Sequence, residues 1–410
     1  MPTAAPVVIF DKSALEALSV DEAVWFGNFF SHNMTALFFV EVLGDLAKER
    51  SDQRDPEAVV ARLAEKTPPE ARANVFHVQL AQGELLGNPV AMRSIPVLGG
   101  GTSVSIDGQR GIRFSASPEQ AMLQRWKARQ FGREERELAM DWRRAVGSMN
   151  LNEIYIRFRS RAASLRTLED AYQAARHIVE DYEQRSVVME RALHLAGLRP
   201  DLRHVALERW KEQSTPPLAF HAPYTAYLVK LDVFFSLAIG AGLIGKERPS
   251  NIVDFAYLYY LPFCQILVSQ DKLHRTLAPI VMEGKKEFVW TPDLKTDLAR
   301  LDAHYSTFPE DVRRQGVRVF AQEPPKTGEW LVSRLWDRFL PKWRSAESAL
   351  PGMSADQRAR AAELARRIAE APGSGDAAEA ETGSQDSDFM LIKHVVPRRV
   401  GKWNLYPPDA

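Results

Sequence analysis

Asp11, Glu41, Asp254 and Asp271 are the residues whose types and placement point to chemistry, with Asp45 as a fifth acid. A hard divalent cation such as Mg²⁺ takes oxygen ligands at roughly 2.0–2.1 Å and keeps several waters, so two or three carboxylates suffice to hold it. An ion held in that way orients a water and offsets charge on a phosphodiester. Asp11 follows the β-branched run Val7-Val8-Ile9-Phe10, and Asp271 follows the apolar run 263–268 through Ser269-Gln270. Acids at the carboxyl ends of buried strands sit where open α/β sheets gather ligands. Glu41 and Asp45 are four positions apart in the apolar stretch 35–46. They share one helix face, where like charges repel unless a cation lies near.

These residues need elements to hold them. Residues 7–10 read as a strand and 13–30 as helix, from the spacing of Leu15, Leu18, Ala23, Phe26 and Phe29. Stretch 248–271 predicts a short helix capped by Ser250 or Asn251, with Asp254 in its first turn, then a stop at Pro262 and a buried strand. Phe288-Val289-Trp290 reads as another short strand. Each acid also has an ordinary role open to it. Asp11 and Asp271 suit N-caps, Asp254 favours a helix dipole, Glu41 fits a solvated stripe and Asp45 a surface.

The order of these motifs resembles the PIN-like domain of metal-dependent ribonucleases acting on single strands. The matching residues are Asp11 in Phe10-Asp11-Lys12-Ser13, Glu41 in Phe39-Val40-Glu41-Val42, Asp254 in Val253-Asp254-Phe255-Ala256 and Asp271 in Ser269-Gln270-Asp271-Lys272. The resemblance covers roughly residues 5–50 and 250–290. It implies an α/β fold, a parallel sheet flanked by helices, with the four acids around one or two Mg²⁺ or Mn²⁺ ions. Some 200 residues separate the second and third acids, which makes the chain an elaborated member.

The expected organisation is a PIN-like core in two parts, residues 1–60 and 216–310. A large, mostly α-helical insertion at 61–215 divides them, with a small hairpin near 103–114. A helical C-terminal extension at 311–370, a disordered acidic linker at 371–388 and a basic tail at 389–410 that docks on the body follow.

Gly240-Ala241-Gly242-Leu243-Ile244-Gly245-Lys246 matches a phosphate-loop opening, but Glu247 stands where Ser or Thr is needed and Pro249 delays the next helix. A helix ending on glycines explains it better. No spacing suggests zinc and no GxSxG elbow is present. Cations interleave with aromatics around Arg125-Trp126-Lys127, at Arg143-Arg144 with 157–161, and in the tail. Such groups suit a single strand, with cations on phosphates and rings under bases, although Arg-rich solvated helices are common. Lys12, Lys272, His274, Arg125, Lys127 and Arg129 are the expected nucleic-acid contacts; His274 also fits a surface position in a first helical turn.

Composition sets bounds around these motifs. At 410 residues, 45% hydrophobic and 26% charged, with zero formal net charge, the chain has a full core and no global field that steers it to nucleic acid or membrane. The single cysteine, Cys264, excludes an internal disulfide. The longest apolar stretch, 233–245, is too short to span a bilayer, and no basic region precedes Val7, so a cytoplasmic protein without a signal peptide is expected. The functional expectation is a Mg²⁺- or Mn²⁺-dependent nuclease acting on RNA or single-stranded DNA, its insertion serving as a wall or as a surface for a protein partner. The alternative is a non-catalytic scaffold of the same fold with structural acids.

Overall fold

The computed structural model describes residues 5–51, 55–68, 71–93, 95, 101–106, 109–114, 118–345 and 399–407. The chain begins with β1 (Val7–Phe10), α1 (Lys12–Ala17), α2 (Val20–Phe29), β2 (Ser31–Met34), α3 (Ala36–Leu43), α4 (Pro56–Lys66), β3 (Arg72–Ala73) and α5 (His77–Leu85). An antiparallel hairpin follows, β4 (Gly101–Ile106) with β5 (Gln109–Phe114). The helical run is α6 (Pro118–Lys127), α7 (Arg133–Ser148), α8 (Leu151–Phe158), α9 (Leu168–Glu180), α10 (Arg185–Leu195), α11 (Pro200–Glu212), α12 (Leu218–His221) and α13 (Pro223–Gly240). Then come α14 (Asn251–Ala256), β6 (Ile266–Ser269), α15 (Lys272–Met282), β7 (Glu287–Trp290) and α16 (Thr291–Ser306). Helices α17 (Glu310–Arg314), α18 (Val317–Phe320) and α19 (Leu331–Phe339) precede a last hairpin, β8 (Arg399–Val400) with β9 (Trp403–Asn404).

The central sheet has the order β3-β2-β1-β6-β7 and every pairing in it is parallel. Successive strand side chains point to opposite faces, so each buried strand serves two cores. Val8, Phe10, Ile266, Val268 and Val289 pack with Leu15, Trp25, Phe38, Leu298 and Trp336 from α1, α2, α3, α16 and α19. Ile9 and Leu267 face the other way, onto Phe234 of α13 and Leu277 of α15. The protein is therefore α/β, with helices on both faces of a parallel sheet. Strands leave β1 in one direction through β2 to β3, and in the other through β6 to β7. The carboxyl ends of β1 and β6 thus flank the topological switch point, the place where open α/β sheets leave a crevice.

Helix α13 is the hub of the second core and is buried along most of its length. A Cβ on its last residue, Gly240, would lie 2.8 Å from the backbone carbon of Phe158, so the close crossing of α13 with α8 needs glycine there.

Several expectations change at this level. The helix read over 13–30 is two helices, because Ser19 and Glu22 form a capping box that starts α2 afresh. The span 61–215 is not purely insertion: its residues 72–73 form β3 at the sheet's edge. The helix carrying Asp254 ends at Ala256, and a 3₁₀ turn, Tyr257–Phe263, carries Pro262 inside it instead of stopping before it. Ser250 precedes α14 without making a side-chain cap bond. The expected hairpin occurs, and the glycine segment 240–246 is the end of α13 and a following loop. The linker 371–388 and the part of the extension beyond residue 345 lie outside the described residues. Within the tail, residues 399–407 do dock: Trp403 Nε1 donates to Asp302 Oδ1 at 2.7 Å, and its ring meets Trp25 edge-on at 4.9 Å. Among the described residues no helix is long and apolar enough to cross a membrane.

Candidate metal centre

Asp11 follows β1 directly and caps α1, its Oδ1 accepting from the Ala14 amide at 2.8 Å. The Ser13 hydroxyl lies 2.8 Å from both of its oxygens. Ser269 closes β6, the parallel neighbour of β1, and its hydroxyl donates to Asp11 Oδ2 at 2.6 Å. That hydroxyl also accepts from the Asp271 amide at 2.9 Å and faces Nδ1 of His274 at 2.8 Å. The second ring nitrogen of His274 donates to the backbone carbonyl of Asp254, and Nδ1 lies 3.5 Å from Asp11 Oδ2.

His274 is fully buried, with both ring nitrogens turned to oxygen. A Ser269 hydroxyl that gives its proton to Asp11 leaves Nδ1 to donate, and a carbonyl needs a proton on Nε2. The geometry thus assigns an imidazolium. Burial opposes that charge, but Asp11 and the Asp254 carbonyl outweigh it and raise the His274 pKa to about 9. In return, burial pushes Asp11 up while His274, Ser269 and the Ala14 amide overcome it, so its carboxyl stays below the usual range.

The other acids approach the same place. Burial, then the charges of Asp271 and Asp11, against attraction from His274 and Arg248, raise Asp254 to about 6. Glu41 projects from α3 and accepts from the Tyr257 hydroxyl. Burial raises it to about 8, with Asp11 and Asp254 adding to the rise and Tyr257 and Lys12 working against it. Asp271 caps α15 through the Leu273 amide at 2.6 Å. The four acids predicted from sequence therefore converge, from four separated segments, at the switch point. Asp11 and Asp271 also do what strand-end acids ordinarily do, because both cap helices.

Asp45 is not a surface residue. It is 1% exposed and paired with Lys12 at 2.7 Å and with Lys48. Lys12 stands beside Glu41 and Asp45 at the acidic end. Lys272 is exposed on the first turn of α15. His274 is corrected as a nucleic-acid contact, since no part of it reaches solvent. Arg125 pairs with Glu135 at 2.9 Å and Arg129 lies 3.5 Å from Asp55. Lys127 shares α6, which packs on α4. Trp126 cannot stack on a base: it is fully buried and donates to Glu135. Ser13, Ser269 and Tyr257, which orient the acids, carried no role in the sequence reading. The only signal was a serine two residues before Asp271 and two after Asp11.

The donor set suits a hard divalent cation in kind, because carboxylate oxygens that raise one another's pKa are stabilised by added positive charge. Among the described residues, no three of these groups already stand as a ligand cage. Mg²⁺ commonly binds through one or two carboxylates and keeps its waters, which such an arrangement allows. Asp11 is the acid most heavily engaged by the protein. Asp254, Asp271 and Glu41 have more coordination capacity left. Comparison with protein-family models, with curated proteins and with solved structures finds no match.

Proposed function

We propose that this chain is a divalent-cation-dependent nuclease with a PIN-like core, acting in the cytoplasm on RNA or single-stranded DNA. The observation that carries the reading is the convergence of Asp11, Glu41, Asp254 and Asp271 on the carboxyl ends of β1 and β6. When bound, Mg²⁺ or Mn²⁺ supplies charge for the phosphate oxygens and acidifies a coordinated water. Asp254, Asp271 and Glu41 would hold the ion, and Asp11 sets the position of Ser269 and His274 behind them. Water would add to phosphorus as the P–O bond to the leaving oxygen breaks, and a solvent water would give the leaving oxygen its proton. The carboxylate of Asp254 would accept the proton of the attacking water.

A second reading has its own observation. His274 already places a buried positive charge against Asp11, which is what a structural acid in a non-catalytic scaffold would need. Hydrolysis of a labelled single-stranded RNA with Mn²⁺, against chelator, separates the two. The nuclease reading expects cleavage that Asp254→Asn reduces on the order of 10²–10⁴-fold. Cleavage that is absent, or unaffected by Asp254→Asn, leaves the scaffold.

A further inference from the structure

Beside the acidic centre lies a cleft of about 490 Å³, within the roughly 300–1,000 Å³ of ordinary ligand pockets. One wall is the end of α3 and the turn after it, with Glu41, Gly44, Asp45 and Lys48. The other walls are α7, with Trp142 and Arg143, and the loop that leads to α14, with Arg248. Helix α7 lies in the long helical stretch between the two parts of the sheet, so this cleft is made where that stretch folds back over the acids.

The lining is chemically mixed in a particular way. Lys12 and Lys48 are both engaged by Asp45. Arg143 is exposed and, among the described residues, has no carboxylate within ion-pair reach. Arg248 is exposed too, and it acts on Asp254 as well as lining the cleft, so cleft and acidic centre are continuous. Trp142 lines the same cleft, half-buried, with its ring edge against Gly44; a Cβ on that glycine would come 2.8 Å from Trp142 Cδ1. Two arginines and an indole in one cleft, with Glu247 beside Arg248, supply the groups that a single strand needs. Cations take the phosphates, and an aromatic face takes a base of any sequence.

We propose that this cleft binds single-stranded nucleic acid next to the bond to be cut, with Arg143 and Arg248 on backbone phosphates and Trp142 against a base. The assignment rests on the nuclease reading of the adjoining acids for its position relative to the scissile bond. Of the two helical groups of cations expected from sequence, it draws on Arg143 of α7 and not on α6. Arg125, Lys127 and Arg129 do not line the cleft, whereas Arg143 does.

The test uses the full chain and a short fluorescein-labelled oligouridylate in chelator, with anisotropy read across a salt series. Arg143→Ala is expected to weaken binding by about 5-fold and to flatten the slope of log affinity against log salt by about 0.7, one single-strand phosphate contact. Arg143→Lys keeps most of the slope. Arg144→Ala, whose side chain pairs with Asp141 outside the cleft, leaves both quantities unchanged. A wild type that does not bind the oligonucleotide, or an Arg143→Ala variant that binds with wild-type affinity and slope, overturns the inference. Cleavage with Mn²⁺ then separates the two readings. RNA cut with a KM indifferent to Arg143→Ala sinks the cleft and spares the nuclease. Binding that needs Arg143 without any cleavage upholds the cleft and sinks the nuclease.

Discussion

The Ser269 hydroxyl donates to Asp11 Oδ2 at 2.6 Å, joining two residues 258 positions apart in sequence. This bond ties the ends of β1 and β6 together at the switch point and decides the state of everything behind it. With its proton given to Asp11, Ser269 accepts from the Asp271 amide and from His274. The acids are thereby divided. Asp11 is matched by a buried cation and several donors, while Asp254, Asp271 and Glu41 crowd one another from the open side.

Ser269→Ala should therefore cost more than the loss of one hydroxyl suggests. It leaves a buried imidazolium N–H and the Asp271 amide without their acceptor, and each such loss costs roughly 1–3 kcal/mol. A drop of about 2–6 kcal/mol in unfolding free energy is expected from urea titration. Ser13→Ala, removing a half-buried donor to the same carboxylate, should cost under about 1.5 kcal/mol. Equal, small effects would show that Ser269 does not organise the centre.

The pH dependence follows from raised pKa values. Glu41 goes from an ordinary 4.5 to about 8 on folding, so the stability linked to its neutral form is complete below 4.5 and is lost as pH rises through 8. Glu41→Gln keeps an acceptor for the Tyr257 hydroxyl and cannot ionise. In chelator at pH 8.5 it should be more stable than wild type by about 2 kcal/mol, less than the full shift because Glu41 is partly solvent-accessible. Added Mn²⁺ should reverse that order, because the wild type holds the ion through one carboxylate more. An unchanged order would remove Glu41 from the metal centre.

His274 is also raised, from 6.5 to about 9, so its contribution is complete below pH 6.5 and disappears as pH rises through 9. In the Glu41→Gln background, unfolding free energy should still fall between those limits, by on the order of 3 kcal/mol. Asp11 has the opposite sign: its pKa is lowered, so its contribution is present above 3.8 and is lost on acidification through its folded value. Nitrogen-15 spectra of labelled histidine should show His274 doubly protonated at pH 7.5. A neutral ring there would contradict the assignment of charge to this network.

What the sequence made legible was the part governed by short-range rules. β1 and β6 are continuous apolar runs that end on acids, and the structure places both at the middle of the sheet. β2 was hidden because its residues, Ser31-His32-Asn33-Met34, are mostly polar, although three of the four are buried. Asn33 donates to the Phe263 carbonyl and accepts from Asn74, and His32 packs edge-on against Phe26. β3 is two residues long and has no periodicity to read. His274 looked like a surface residue because its burial comes from α14 and the sheet, not from its own helix. The cleft was invisible for the same reason: Arg143, Arg248 and Glu41 belong to segments that only folding brings together.

The most direct measurement is unfolding free energy with and without Mn²⁺ for the wild type and Asp271→Asn. Asparagine still caps α15, and the substitution removes a charge that opposes Asp254, so the variant should match or exceed the wild type in chelator. With Mn²⁺ at about 100 times its dissociation constant, the wild type should gain about 2.7 kcal/mol and the variant little or nothing. A wild type indifferent to Mn²⁺, with Asp271→Asn simply destabilised, would contradict the metal centre and leave Asp271 as a helix cap.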